Sequence, residues 1–281
     1  MTGTSDGPDP GRDDAGHGRG QKVSGTESGA EAPDTSSPVG AAGFGLSRPW
    51  QQVPWVVIDV EGNGQRPPDL VEAACLPIDG GVPGRVRTWL VRPPRPITGP
   101  VRRIHGIGNA DVATAPTTAD VADQIRAQLA GRVVIGHHVH VDLAVLGREL
   151  DGWTAPAALD TLRLAKAAWP GRPSYSLDNL TSAVDPLTHP PALPPSAASA
   201  LPPTVHGRHR AGYDVTLTAA LFLALARTVT ETDQASRPGR TSTGGPPSAA
   251  RLLGLADALP VGTPPAGARP ADVHDDSARL F

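Results

Sequence analysis

The stretch Val56-Val57-Ile58-Asp59-Val60-Glu61-Gly62-Asn63-Gly64 sets an apolar, β-branched run against an abrupt glycine-rich stop. With Trp55 in front of it, the run reads as a buried central strand that ends in a turn at Gly62. Side chains two apart on a strand share a face, so Asp59 and Glu61 point the same way at the strand's end. Two like charges about 4 Å apart repel by roughly 4 kcal/mol at an effective dielectric of about 20. Taken alone, such a pair could simply cap neighbouring amides. A divalent cation between the carboxylates is the usual relief, and a donor set made only of oxygen favours a hard ion, Mg²⁺ or Mn²⁺, over zinc.

Two further segments extend the pattern. Val133–Ile135 is a second short β-branched strand, closed by Gly136 and followed by a helix in whose opening turns Asp142 falls. Leu143, Leu146 and Leu150 would bury one face of that helix and leave Asp142 toward the strand ends. A lone aspartate near a helix start is otherwise an ordinary dipole partner. Downstream, His209 precedes Asp214 by five residues, and Leu217, Leu221 and Leu225 come after it at helical spacing. A loop imidazole has an ordinary pKa near working pH and suits a general base worth about 10²–10⁴ in rate. Two cations about 3.5–4 Å apart serve an in-line displacement at phosphorus, which is phosphodiester hydrolysis.

Asp59-Val60-Glu61, the Gly136-His137-His138 run ending at Asp142, and His209 with Asp214 resemble the three motifs of the DEDDh, or DnaQ-like, 3′-to-5′ exonucleases. This group includes the proofreading epsilon subunit of bacterial DNA polymerase III. Secondary marks fall in the same order: His105-Gly106-Ile107 followed by Pro116, Asp160–Ala165, and Ser174–Leu180. The resemblance spans residues 54 to 228. It implies an α/β, RNase H-like exonuclease fold and two divalent cations, Mg²⁺ or Mn²⁺, held by Asp59, Glu61, Asp142 and Asp214. It also implies His209 as base, with Gly62 and His105 against the substrate. Departures are visible too. Gly62-Asn63-Gly64 stands where family members carry Thr-Thr-Gly, His138 stands for an asparagine, and Val141 for a phenylalanine. These bear on substrate affinity and preference rather than on metal binding.

The element order predicted from periodicity has strands at 55–59, 71–78, 86–91, 133–136 and 157–159. Helices are expected at 119–130, 142–150, 161–169, 177–184 and 214–227. That is a mixed five-stranded sheet flanked by helices. Glycine and proline, 32 of each in 281 residues, cluster away from this middle. Residues 1–48 and 229–281 are therefore expected to be largely disordered tails around an exonuclease domain at 49–228, and Pro186–Pro203 an inserted surface loop. The single cysteine, Cys75, has no partner for an internal disulfide, which points to the cytoplasm. No leader pattern and no run of about 18 apolar residues argues for a membrane.

The net charge of −3 speaks against broad coating of duplex DNA, but not against gripping a strand end. Between Asp79 and Asp111 every charged side chain is an arginine: Arg85, Arg87, Arg92, Arg95, Arg102 and Arg103. They form either a solvated face or a phosphate-contacting rim. His137, His138 and His140 lack the cysteines or second histidine pair of a zinc site. Of His206 and His209, only the latter has the offset to Asp214 that the family pattern requires.

The expected partner is the 3′ end of a single-stranded nucleic acid, with DNA favoured and RNA possible. A DNA polymerase is a further candidate. So is a sliding clamp, which the terminal Leu280-Phe281 would engage, although a frayed tail is the plainer reading of that end. The alternatives are a 3′ exoribonuclease and a non-catalytic nucleic-acid-binding or replication-interaction module of the same fold. The intact set of five site positions speaks against the module.

Overall fold

The computed structural model describes residues 45–183, 209–236 and 245–256. The insertion expected at 186–203, the tail over residues 1–44 and the terminal Leu280-Phe281 lie outside them. At the centre is β1 (Trp55–Gly62), buried along nearly its whole length. It pairs antiparallel with β2 (Leu70–Asp79) and parallel with β5 (Val133–Gly136), which in turn pairs parallel with β6 (Ala158–Asp160). A strand with neighbours on both edges and helices on both faces has no solvated side, so it needs the continuous apolar run seen before Asp59.

Among the described residues the sheet has six strands rather than five. The additional one is β3 (Val82–Pro83), which turns back on the end of β2 through Gly80-Gly81, both at positive φ. Two glycines between paired residues form the tight hairpin that matches strand twist. The expected strand at 86–91 is β4 (Arg87–Leu90), which pairs with Glu72–Cys75 of β2.

Alternation along β1 divides the core in two. Trp55 and Val57 face a cluster with Leu76, Ile78, Ile135, Leu159 and the helix α6 (Ala211–Ala235), while Val56, Ile58 and Val60 face α2 (Thr118–Leu129) and α3 (His140–Glu149). The α2 stripe is Val121, Ile125 and Leu129, as its spacing predicts. Helix α1 (Gly99–His105) is an addition to the expected order, α4 (Thr161–Ala168) comes after β6, and α5 (Leu177–Ala183) packs near α6.

The fold runs beyond residue 228, against the expected boundary. Helix α6 continues to Ala235, and α7 (Ala249–Leu255) buries Ala249, Leu252 and Leu253 in the same core. The segment before β1 holds it there: the Trp50 N–H donates to the Pro247 carbonyl at 3.0 Å, and the Ala250 N–H to the Leu46 carbonyl at 2.7 Å. Alanine-rich composition disguises this helix, whose contacts are supplied by a segment some 200 positions earlier in the chain.

Helix α6 is, by length and average composition, apolar enough to cross a bilayer, although Asp214, Arg227 and its threonines interrupt any continuous apolar run. Its apolar residues are nevertheless committed to the core: Val215, Leu221, Phe222 and Leu225 are fully buried. Phe222 meets Trp50 edge-on at 5.4 Å and Trp55 at 5.2 Å between ring centroids. Replacing it empties the layer that holds α6 to β1. Phe222→Ala is expected to cost about 3–5 kcal/mol in denaturant unfolding of the full chain; a loss below about 1 kcal/mol would contradict this packing.

Candidate active site

Asp59 and Glu61 project from β1 on the face that α6 covers, and α6 carries Asp214 in its first turn. One oxygen of each of these three carboxylates lies within 4.8 Å of the others. Asp142 arrives from the opposite side, in the first turn of α3, because β5 runs parallel to β1 and delivers the chain to the same end of the sheet. This is where parallel α/β sheets gather their sites. Asp142 is fixed by the Val60 N–H, which donates to its Oδ1 at 3.0 Å. Val133 N–H bonds the Pro54 carbonyl, so alternation turns the Val60 N–H toward β5 as well, and β5 has already ended at Gly136. Asp142 supplies the acceptor that the missing strand residue would have given.

Asp59, Glu61, Asp142, His209 and Asp214 all line one pocket, together with Val60, His137, His138 and Val141. His209 stands on a bend at φ +60° immediately before Arg210 and α6. Asp59, Glu61 and Asp142 are held well above the usual carboxylate range. Loss of hydration is the first cause in each case. For Asp59 the charges of Asp142, Asp214 and Glu61 come next, and for Glu61 those of Asp214, Glu72 and Asp142. Clustered acid oxygens that resist ionisation in isolation suit a hard divalent cation, whose charge removes the reason for the shift.

His137 is held by its surroundings: its ring nitrogens lie 3.0 Å from the Thr161 hydroxyl and the Tyr175 carbonyl. Burial pushes it down to about 4. His138 lies at φ +68°, its N–H donates to Asp160 at 3.0 Å, and its ring packs on that of His140 at 4.2 Å between centroids.

The Gly62-Asn63-Gly64 turn takes a structural part. Asn63 is wholly buried. Its amide donates to Asp69 at 2.7 Å and to the Arg95 carbonyl at 3.2 Å, and its Oδ1 accepts from the Gln65 and Asp69 N–H groups at 3.1 and 2.9 Å. Arg95 grips Asp69 in turn at 2.6 Å, and this guanidinium holds the Asp69 carboxyl below its ordinary value. Of the arginine run, Arg95 is therefore committed to the turn, while Arg85, Arg87, Arg92, Arg102 and Arg103 are exposed.

His105, expected against the substrate, lies outside the residues that line the pocket. It is 4% exposed, its Nδ1 accepts the Ile107 N–H at 3.0 Å, and its Nε2 therefore carries the proton toward the Gly62 carbonyl at 3.3 Å. Its part is to brace the turn from α1. Gly62 itself is buried at the end of β1, outside the residues that line the pocket. Two residues that no sequence motif singles out also sit here: Glu72, directly across β2 from Glu61, and Arg210, which pairs with it. A charged residue within an apolar strand is the available signal for Glu72.

An exonuclease family model matches residues 56–189. Exodeoxyribonuclease 10 of Escherichia coli is 31% identical over 174 residues, covering 61% of this chain and 68% of that protein. A DNA polymerase III subunit epsilon-like protein of Rhodobacter capsulatus is 33% identical over 145 residues, covering 47% of this chain and only 20% of that much longer relative. Among solved structures, exonuclease X in complex with 5′ overhanging duplex DNA superposes with a TM-score of 0.50 at 26% identity, over 72% of this chain and 99% of that one. The chain belongs to the exonuclease family, in the DnaQ-like 3′-to-5′ group whose motifs it carries.

The raised carboxyls and the closed turn each lend themselves to a stability measurement. A carboxyl whose folded-state pKa lies above its unfolded value binds its proton more tightly when folded. In EDTA these three carboxyls should therefore contribute stability that is full below the ordinary carboxylate range and is lost as pH rises through the raised values. Asp59→Asn removes one of these charges and should raise Tm in EDTA at neutral pH by about 2–4 °C per kcal/mol gained, while shrinking the stabilisation that Mn²⁺ gives the parent; a lowered Tm with an undiminished Mn²⁺ response would contradict the cluster. In the turn, Asn63→Ala strips four hydrogen bonds from a closed site and should cost about 2–4 kcal/mol. Gly64→Ala should be at least as harmful, since its Cβ would stand 2.3 Å from the Thr98 hydroxyl at φ +75°; urea unfolding with parent-like midpoints for both would refute this account.

Proposed function

We propose that the pocket removes mononucleotides from the 3′ end of single-stranded or frayed DNA, with Asp59, Glu61, Asp142 and Asp214 holding two divalent cations and His209 acting as base. The observation that carries this reading is the convergence of four carboxylates and one histidine, from three separated segments, on one pocket at the end of β1. The oxygen donor set fits Mg²⁺ or Mn²⁺, which when bound neutralise phosphate charge and raise the acidity of water.

The chain's own residues do the rest. Asp142, fixed by the Val60 N–H, and the β1 pair give the site its fixed geometry. The His209 imidazole takes a proton from the water as its oxygen bonds to phosphorus. The bond from phosphorus to the 3′ oxygen of the penultimate nucleotide breaks, leaving a shortened 3′-hydroxyl end and a 5′-mononucleotide. The names of the exodeoxyribonuclease relative and of the DNA-bound exonuclease X structure support DNA over RNA. The epsilon-like relative supports a replicative polymerase as partner, with proofreading or repair as the setting.

The test is digestion of 3′-labelled and 5′-labelled single-stranded DNA and RNA in Mg²⁺, Mn²⁺ or EDTA, beside His209→Ala. Metal-dependent shortening from the 3′ end, reduced about 10²–10⁴-fold in the variant, is the expected result. Cleavage of RNA alone would replace the substrate, and no cleavage of either polymer would favour the non-catalytic module.

A further inference from the structure

We propose that Glu72 and Arg210 form a clamp that positions the segment bearing His209 and Asp214 against the carboxylates of β1. The inference rests on the reading of His209 as the base.

Glu72 stands opposite Glu61 in the β1–β2 register and is 2% exposed. A buried carboxylate survives as a charge only when paired and hydrogen-bonded. Arg210 supplies both conditions, its Nε donating to Oε2 at 3.0 Å and its Nη2 to Oε1 at 2.6 Å. This is the two-pronged geometry that gives an arginine–carboxylate pair a fixed orientation as well as strength. The Ala211 N–H adds a third bond, to Oε2 at 3.0 Å.

These three bonds fall where the chain needs them. Arg210 is the N-cap residue of α6 and gives that helix no side-chain cap. One of the unpaired N–H groups of the first turn is instead satisfied by a side chain from β2. His209, one residue earlier, lies in the left-handed region that residues with side chains seldom enter, so holding it there requires that Arg210 be fixed in place. Asp214 lies one helical turn beyond Arg210, whose carbonyl accepts the Asp214 N–H at 3.0 Å. A single link from β2 thus fixes both the neighbour of His209 and the turn that carries Asp214. It also balances charge: Glu72 acts on Glu61 in the sense of repulsion, and Arg210 acts in the opposite sense.

The full chain with labelled histidines would be compared with Glu72→Gln and Arg210→Lys, each of which keeps part of the hydrogen bonding and spares the fold. The His209 ring resonance is expected to shift or broaden while that of His140, outside the pocket lining, stays in place. The Ala211 amide should lose about tenfold or more of its hydrogen-exchange protection. On a DNA oligonucleotide, kcat should fall about tenfold or more with KM within about twofold, and Arg210→Lys should cost less on the His209→Ala background than in the parent, the remaining loss coming through Asp214. An unmoved His209 resonance with a protected Ala211 amide in both variants would overturn the clamp, as would losses that multiply in the double variant. A parent chain that cleaves no 3′ end would remove the exonuclease reading instead, and the resonance and exchange measurements would still decide the clamp.

Discussion

Asp59, Glu61, Asp142 and Asp214 are gathered around one pocket, and three of them bind their protons more tightly than free carboxyls do. Hydration lost on burial is the largest single cause of those shifts, ahead of any one neighbouring charge, so the site would be costly in charged form even if its members were farther apart. The surrounding protein has to hold the cluster against that cost. It does so from below with a sheet strand buried along its length, and from one side with a helix locked by the contact of Phe222 with Trp50 and Trp55. Asp142 contributes by completing the hydrogen bonding of β1 itself. The rigidity and the electrostatic stress of the site have one origin: acidic groups placed where a well-packed sheet ends.

The turn after Glu61 shows how a departure from a family pattern can be absorbed. Asn63 replaces a hydroxyl residue with an amide that has two donors and two acceptor sites on one planar group, and every bond it makes in the structure is internal. Through Asp69 and Arg95 it ties β1 to the loop before α1, and through His105 the end of α1 is tied to the Gly62 carbonyl. What the pattern would devote to the nucleotide is here devoted to the shape of the strand end. Among the residues that line the pocket, His138 is the departure from the family pattern that carries a ring.

The parts of the molecule legible in the sequence are those in which a local pattern and a tertiary role coincide. The apolar run into Asp59, the β5–α3 junction and the stripe of α6 each announce their structure within a dozen residues, and the four acids and His209 are legible from them. Helix α7 is not, because its burial depends on residues 46–50, far away in the chain, and an alanine-rich segment carries no stripe of its own to declare it. Helix α1 hides behind its opening Gly99-Pro100 and its brevity. The motif around His105 marks a residue that the structure buries against the Gly62 carbonyl, because a motif position says that a residue matters and not which way it faces. Glu72 escapes for a related reason: on a strand, a charged side chain whose partner lies 138 positions away reads only as an exception to burial.

That last pairing bears on how the third motif can sit so far from the second. In this family reading, His209 and Asp214 must meet carboxylates that the chain left long before, and the connection between α5 and α6 is a poor instrument for the purpose, since loop-closure cost rises only slowly with length and fixes no geometry. Register is set instead at the arrival point. Glu72 receives Arg210 and the Ala211 N–H, and Phe222 and Val215 pack α6 into the core behind them. The contacts that place His209 and Asp214 thus begin at Arg210 and run through residues of β2 and the core rather than along the chain.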